Sequence, residues 1–237
     1  MSRDRTTAKR YLTGELTGGE RPSAVGEKFQ VDGVVMPFPG NTFICHIDQA
    51  SVAHAALSAA QQRLSDGPFH RSFSFLPPSS FHMTVFEGVT NLARSAPEWP
   101  RTLPSDAPVS AVTDAFAVVT EGLALPRDIS IKLDNIFGGF SVSVSGATDE
   151  EEHRLRVARA SLREATGIHK PDFDTYGFHI TLGYLLRWLD PDEAELVLDL
   201  SDEVAKALID TLPTMTLKEV TLCTFDDMHA FVPVRRF

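Results

Sequence analysis

The chain has 237 residues, 43% hydrophobic and 23% charged, which excludes a disordered tail and supplies enough apolar surface for a core without disulfide or metal staples. No apolar stretch approaches the ~18 residues of a membrane helix. The formal net charge of −10 argues against a broad basic footprint for long duplex DNA or an anionic membrane, but leaves room for a small phosphate ligand at a local site.

Residues 1–27 show no sustained period and contain Gly14, Gly18, Gly19, Pro22 and Gly26, so they read as a loosely attached, flexible leader. The polar Met1–Arg10 stretch lacks an apolar signal core, and the expected setting is cytoplasmic. Pro37-Phe38-Pro39-Gly40 turns the chain into a strand over 41–47. Asp48 is the expected cap of a helix to Leu64, with Ala53, Leu57, Ala60 and Leu64 on one face and Asp66-Gly67-Pro68 ending it. Strands are predicted over 69–76 and 81–89, split by Pro77-Pro78. A proline-rich connector, 91–108, with a short helix near its start, leads to β-like runs at 115–123, 129–134 and 140–145. Thr148 and Glu151 form a capping box for a helix that Gly167 ends. A strand over 178–186 follows, then a helix opened by Asp190-Pro191-Asp192-Glu193, and a last strand over 214–225. Cys45 and Cys223 both sit in apolar runs and read as buried free thiols.

Each half thus holds strands, a principal helix and a late strand of similar wording. The first is Phe81-His82-Met83-Thr84-Val85 and the second Phe178-His179-Ile180-Thr181-Leu182. The expected fold is α+β and bilobal, with a pseudo-two-fold axis and two mainly antiparallel sheets flanked by helices around a central cleft. The leader is 1–27, and 28–237 form a single bilobal domain with lobes at about 28–90 and 109–237, open to strand exchange.

In a strand, residues i and i+2 point to the same side. His82 and Thr84 therefore share a face, as do His179 and Thr181. Two such faces meeting across one cleft offer what hydrolysis of a cyclic phosphodiester needs. One imidazole activates water, another protonates the departing oxygen, and hydroxyls stabilise the phosphoryl oxygens. This scheme calls for no metal and no cofactor. Spacing alone is a weak signal, since eight histidines give about one His-x-Ser/Thr by chance. The chain has three, and the third, His70-Arg71-Ser72, is assigned to chance.

Two His-apolar-Thr-apolar motifs, on strands of two halves, resemble those of the 2H phosphoesterase superfamily, which includes cyclic nucleotide phosphodiesterases and RNA 2′,5′-ligase-like proteins. The wider wording, Phe38-Pro39-Gly40-Asn41-Thr42-Phe43, Leu76-Pro77-Pro78-Ser79-Ser80-Phe81-His82 and Tyr176-Gly177-Phe178-His179, is similar to a little-characterised branch of it. The resemblance covers about residues 28–230. It implies a cleft between lobes with His82 and His179 as catalytic acid and base and Thr84 and Thr181 as phosphoryl contacts. The implied substrate is a cyclic or 2′,5′-linked nucleotide or short RNA-end phosphodiester. The alternative is a non-catalytic nucleotide or short-RNA binding module using the same cleft.

Phe86, next on the face of His82 and Thr84, is a candidate for stacking on a base, with packing as the plain alternative. Arg187 is a candidate phosphate contact, with a solvated strand-end arginine as its alternative. By period Tyr184 falls on the Phe178 side and reads as structural, as does His46. Asn41 and Thr42 read as turn residues, and His153, His169 and His229 as surface. The histidines form no zinc pattern, and Gly138-Gly139 lacks the spacing of a nucleotide loop.

Overall fold

The computed structural model describes residues 3–95 and 97–237; Met1, Ser2 and Ala96, which fall in the expected leader and connector, lie outside the described residues. The described chain runs α1 (Arg5–Leu12), β1 (Gly40–His46), α2 (Val52–Ser65), β2 (Phe73–Phe75), β3 (His82–Thr90), α3 (Val109–Val119), β4 (Ile129–Phe137), β5 (Ser141–Gly146), α4 (Asp149–Thr166), β6 (His179–Thr181), β7 (Gly183–Leu185), α5 (Pro191–Thr211), β8 (Thr214–Leu217), β9 (Thr221–Phe225) and β10 (Val232–Arg236). Eight strands form one sheet in the order β10-β9-β1-β3-β6-β5-β4-β8, and β2 pairs with β7 in a second. All pairings between these strands are antiparallel, in keeping with the α+β reading.

The strands of the two halves meet at β3 and β6, through the single partner pair Met83 and Ile180. The late strands β9 and β10 return to the first half, where β9 pairs with β1. Behind the sheet, Met83, Val85, Val142, Ile180 and Leu182 pack against Leu57 and Leu64 of α2, Val112 and Phe116 of α3, Leu155 and Leu162 of α4, and Val204 and Leu208 of α5. Alternation explains why only one sheet face is covered in this way. The apolar residues of each strand face the helices, which leaves His82, Thr84, His179 and Thr181 on the other side.

Local signals account for most helix ends. Asp190 caps α5 with a complete capping box to Glu193, and Pro191 takes the first helical position. Thr148 caps α4 by accepting from the Glu151 N–H, and Gly167 ends it at φ 68°, in the left-handed region open to glycine. At α2 the cap is Ser51, not Asp48; Asp48 lies in the preceding turn, accepts from Ala50 N–H and pairs with Lys218.

Five expectations are corrected. The run at 115–123 lies in and beyond α3, because its burial follows a helical stripe of Val112, Thr113, Phe116 and Thr120. A short β-branched apolar run carries no period that separates the two structures. The strand expected over 69–76 is a helical turn followed by the three residues of β2. The strand expected over 178–186 divides at Leu182 into β6 and β7, which belong to different sheets, and no short helix opens the described part of the connector. Finally, the leader is packed rather than loose. Ala8 and Leu12 are buried one turn apart on α1, Arg5 pairs with Glu195 and Asp199 of α5 at 2.6 and 2.7 Å, and Val25 and Phe29 join a second apolar cluster. An acidic face on α5 complements a basic α1, a match between segments far apart in the chain.

Candidate active site

The pairing of β3 with β6 builds the site. With Met83 opposite Ile180, antiparallel register sets His82 opposite Thr181 and Thr84 opposite His179. Opposite residues share a face, so the four side chains form a square with the two histidines on one diagonal and the two threonines on the other. Neighbouring strands extend it into two rows. One runs Phe137, Ser141, Thr181, His82, His46, and the other Asn135, Ser143, His179, Thr84. All four motif residues line a cleft of about 730 Å³.

The two imidazoles are held alike. His82 Nδ1 donates to the carbonyl of Ser80 at 2.7 Å, and His179 Nδ1 donates to that of Gly177 at 2.9 Å. A carbonyl only accepts, so Nδ1 carries the hydrogen in both rings and Nε2 keeps the lone pair. In both cases the anchor is the carbonyl two residues back, an equivalence that follows from the repeated motif. Burial pushes both histidines down to about 4, and cationic neighbours add to this at His179, Arg3 first and then Lys28. Each ring also has an aromatic neighbour, Phe231 at 4.1 Å from His82 and Tyr176 at 6.0 Å from His179 between ring centres.

Two expected site residues are elsewhere. Phe86 is buried in the core, because a bulge in β3 makes Phe43 face Phe86 while Ile44 already faces Thr84. The extra residue reverses the alternation, so Phe86 points to the helices and Glu87 takes the cleft side. Arg187 is exposed and engages Glu193 with both terminal nitrogens at 2.8 Å, which makes it part of the α5 cap; it does not line the cleft. Tyr184, read as structural, lines the cleft because the backbone is irregular at Leu182 and Gly183, whose N–H groups both donate to Phe140 O. Asn41 is no turn residue. It is buried in β1, donates to Thr113 Oγ1 and accepts from Val89 N–H, and the close approach leaves no space for a side chain at position 88. His46 sits 3.4 Å from the Cys223 sulfur and does not line the cleft.

Sequence reasoning also missed Arg3, Lys28, Glu87 and Phe231, all on the cleft wall. Of these only Glu87 adjoins a motif, and the bulge that turns it inward leaves no mark in the hydrophobic period. That bulge has a support in Arg159, a fully buried arginine whose Nη1 donates to Val85 O at 2.6 Å and whose guanidinium lies 3.9 Å from the Tyr176 ring. Arg159→Met is expected to cost about 2–4 kcal/mol of unfolding free energy, because a buried carbonyl loses a charged donor and the aromatic cage its cation. Urea denaturation measures this, and a change within 0.5 kcal/mol, about that of a surface substitution, contradicts the role.

Among the described residues no cluster of His, Cys, Asp and Glu suits a metal ion, and no helix is long and apolar enough to cross a membrane. A family model described as 2H-phosphodiest, domain of unknown function (DUF1868), matches residues 28–138. No curated protein matches the chain. The crystal structure of a conserved protein of unknown function from Agrobacterium tumefaciens str. C58 is similar with a TM-score of 0.91 and 31% identity, over 96% of this chain and 97% of that one. E. coli LigT complexed with NADP+ gives a TM-score of 0.45 at 14% identity, over 84% of this chain and 97% of that one, and its complex with phosphate gives 0.46 at 14%. With its paired His-x-Thr strands and the family model that matches residues 28–138, the chain belongs to the 2H phosphoesterase superfamily.

Proposed function

We infer that the protein is a phosphodiesterase that hydrolyses a cyclic or 2′,5′-linked nucleotide or RNA-end phosphodiester by two-histidine acid–base catalysis. The register that sets the His82–Thr181 and Thr84–His179 pairs side by side in one cleft carries this reading. A phosphoryl group above the square has an imidazole on each of two opposite corners and a hydroxyl on each of the others.

The reaction then runs as an in-line displacement. The Nε2 of one histidine takes a proton from water, the water oxygen bonds to phosphorus, the bond from phosphorus to the ribose oxygen breaks, and the protonated Nε2 of the other histidine supplies that oxygen with a proton. The pair needs one proton between them. Burial and neighbouring cationic groups disfavour it in the empty cleft, and an anionic substrate favours it. Thr84 and Thr181 hydroxyls donate to the non-bridging oxygens, where charge builds.

The test is a screen of 2′,3′-cyclic nucleotides, ADP-ribose cyclic phosphate and 2′,5′-oligonucleotides in the presence of a chelator, with products followed by phosphorus NMR. Turnover of at least one class is expected, and binding without product across all of them returns the alternative, a binding module. For a substrate that turns over, Thr84→Val and Thr181→Val are each expected to lower kcat by about 10–100-fold with KM little changed, since each removes a donor used in the transition state. A rise in KM alone contradicts that role.

A further inference from the structure

We propose that Arg3 is a third substrate-contacting group, laid on the catalytic face of the sheet by the N-terminal arm to bind the phosphoryl oxygens on the His179 side. The proposal deepens the phosphodiesterase reading and rests on it. Arg3 is anchored at three points. Its Nε donates to Ser143 Oγ at 2.7 Å, its Nη2 donates to Ser141 Oγ at 2.5 Å, and its carbonyl accepts from Asn135 Nδ2 at 2.7 Å. Its guanidinium lies 4.6 Å from the centre of the Phe137 ring.

These anchors define its place. Ser143 is the strand partner of His179 and Ser141 of Thr181. Adjacent strands are ~4.8 Å apart, so the guanidinium rests one strand from the His179–Thr181 pair and on the same face. It lines the cleft with them. None of its anchors is a carboxylate, in contrast to Arg5, which engages the acidic face of α5. Two serine hydroxyls orient the fork without neutralising it. Nη1, bonded to neither serine, remains to donate to an anion, and guanidinium groups bind phosphate oxygens with fixed geometry. Burial costs a bare cation free energy and pulls this arginine down to about 10, a strain that an incoming anion relieves. The square of the two motifs is symmetric; Arg3 breaks that symmetry by setting charge beside one histidine only.

Three variants and inorganic phosphate test this at one pH. Arg3→Met is expected to weaken phosphate binding about tenfold and to lower kcat/KM on the cyclic substrate about 10–100-fold. Low-millimolar guanidinium is expected to return part of that activity, and Arg3→Lys to fall between, since an ammonium cannot span both serines. Arg5→Gln is the control for loosening of α1. It is expected to lower the melting temperature while phosphate affinity and kcat/KM stay within twofold. Phosphate affinity of Arg3→Met within twofold of the parent overturns the proposal, as does an activity loss that Arg5→Gln reproduces. The phosphate titration needs no turnover, so absence of hydrolysis counts against the phosphodiesterase reading alone, while turnover with an indifferent Arg3 counts against this proposal alone.

Discussion

His82→Ala and His179→Ala are each expected to lower kcat by about 10²–10⁴-fold, the range that a positioned proton-transfer group supplies. The two losses are not expected to multiply. Acid and base act in one displacement, so removing either stops the proton relay, and the double variant is expected to fall close to the worse of the single ones. Steady-state rates of the four proteins form a double-mutant cycle that measures this coupling. Binding of inorganic phosphate is expected to survive in all of them, because Thr84 and Thr181 remain. Full activity in both single variants removes the acid–base scheme. Loss of both activity and phosphate binding, with melting temperature unchanged, moves the histidines from proton transfer to ligand binding.

The cleft-facing variants provide the contrast. If the protein only binds its ligand, truncating the aromatic wall is expected to hurt more than truncating the histidines. The residues for that comparison are Phe231 and Tyr184, which line the cleft, and not Phe86, which packs behind it. Phe231 needs a separate reading, since it lies 4.1 Å from the His82 ring and its removal also exposes that ring to water. A shift of the His82 titration toward its ordinary value in Phe231→Ala marks that second effect.

The central square was legible in the sequence because each His-x-Thr motif is local. Period-two alternation fixes which side chains share a face, and two copies of the wording imply two equivalent faces. The register that joins them is a long-range pairing of Met83 with Ile180, and the repeat suggested it only through symmetry. Phe86 failed where alternation failed. One bulge residue in β3 inverted the positions that follow it, Phe86 and Glu87, and no turn residue announces it. The misread 115–123 run has the opposite cause, since Val, Ala and Phe fit a strand or a buried helical face equally well and tertiary packing decides. Arg3 was hidden for a third reason. Its function depends on Asn135, Ser141 and Ser143, more than 130 positions along the chain, and no feature of its own neighbourhood distinguishes it from Arg5. Arg187 shows the converse, a plausible neighbour of a motif that the α5 cap has already engaged.

Acidification is expected to destabilise the ligand-free protein in a window set by the two histidines. Both lie at about 4 in the folded chain against an ordinary value of about 6.5 in the unfolded one, so between those limits the unfolded chain binds more protons and stability rises with pH. The contribution is therefore complete above about pH 6.5 and lost as pH falls through 4, with a limit of about 3 kcal/mol per histidine. Carboxylates held low by partners, such as Glu193 beside Arg187, act in the same direction at lower pH, so the histidine share is read as a difference. Urea unfolding of the parent and of a His82→Asn, His179→Asn variant is expected to give curves that diverge between pH 6.5 and 4.5; parallel curves contradict the depressed values. Sulfate, whose charge is constant over this window, supplies the second arm. An anion above the square favours the imidazolium form, so sulfate is expected to bind more tightly at pH 5 than at pH 8 and to flatten the stability curve of the parent but not of the variant. Equal sulfate affinity at the two pH values would separate the histidines from the anion and remove the proton that the general acid needs.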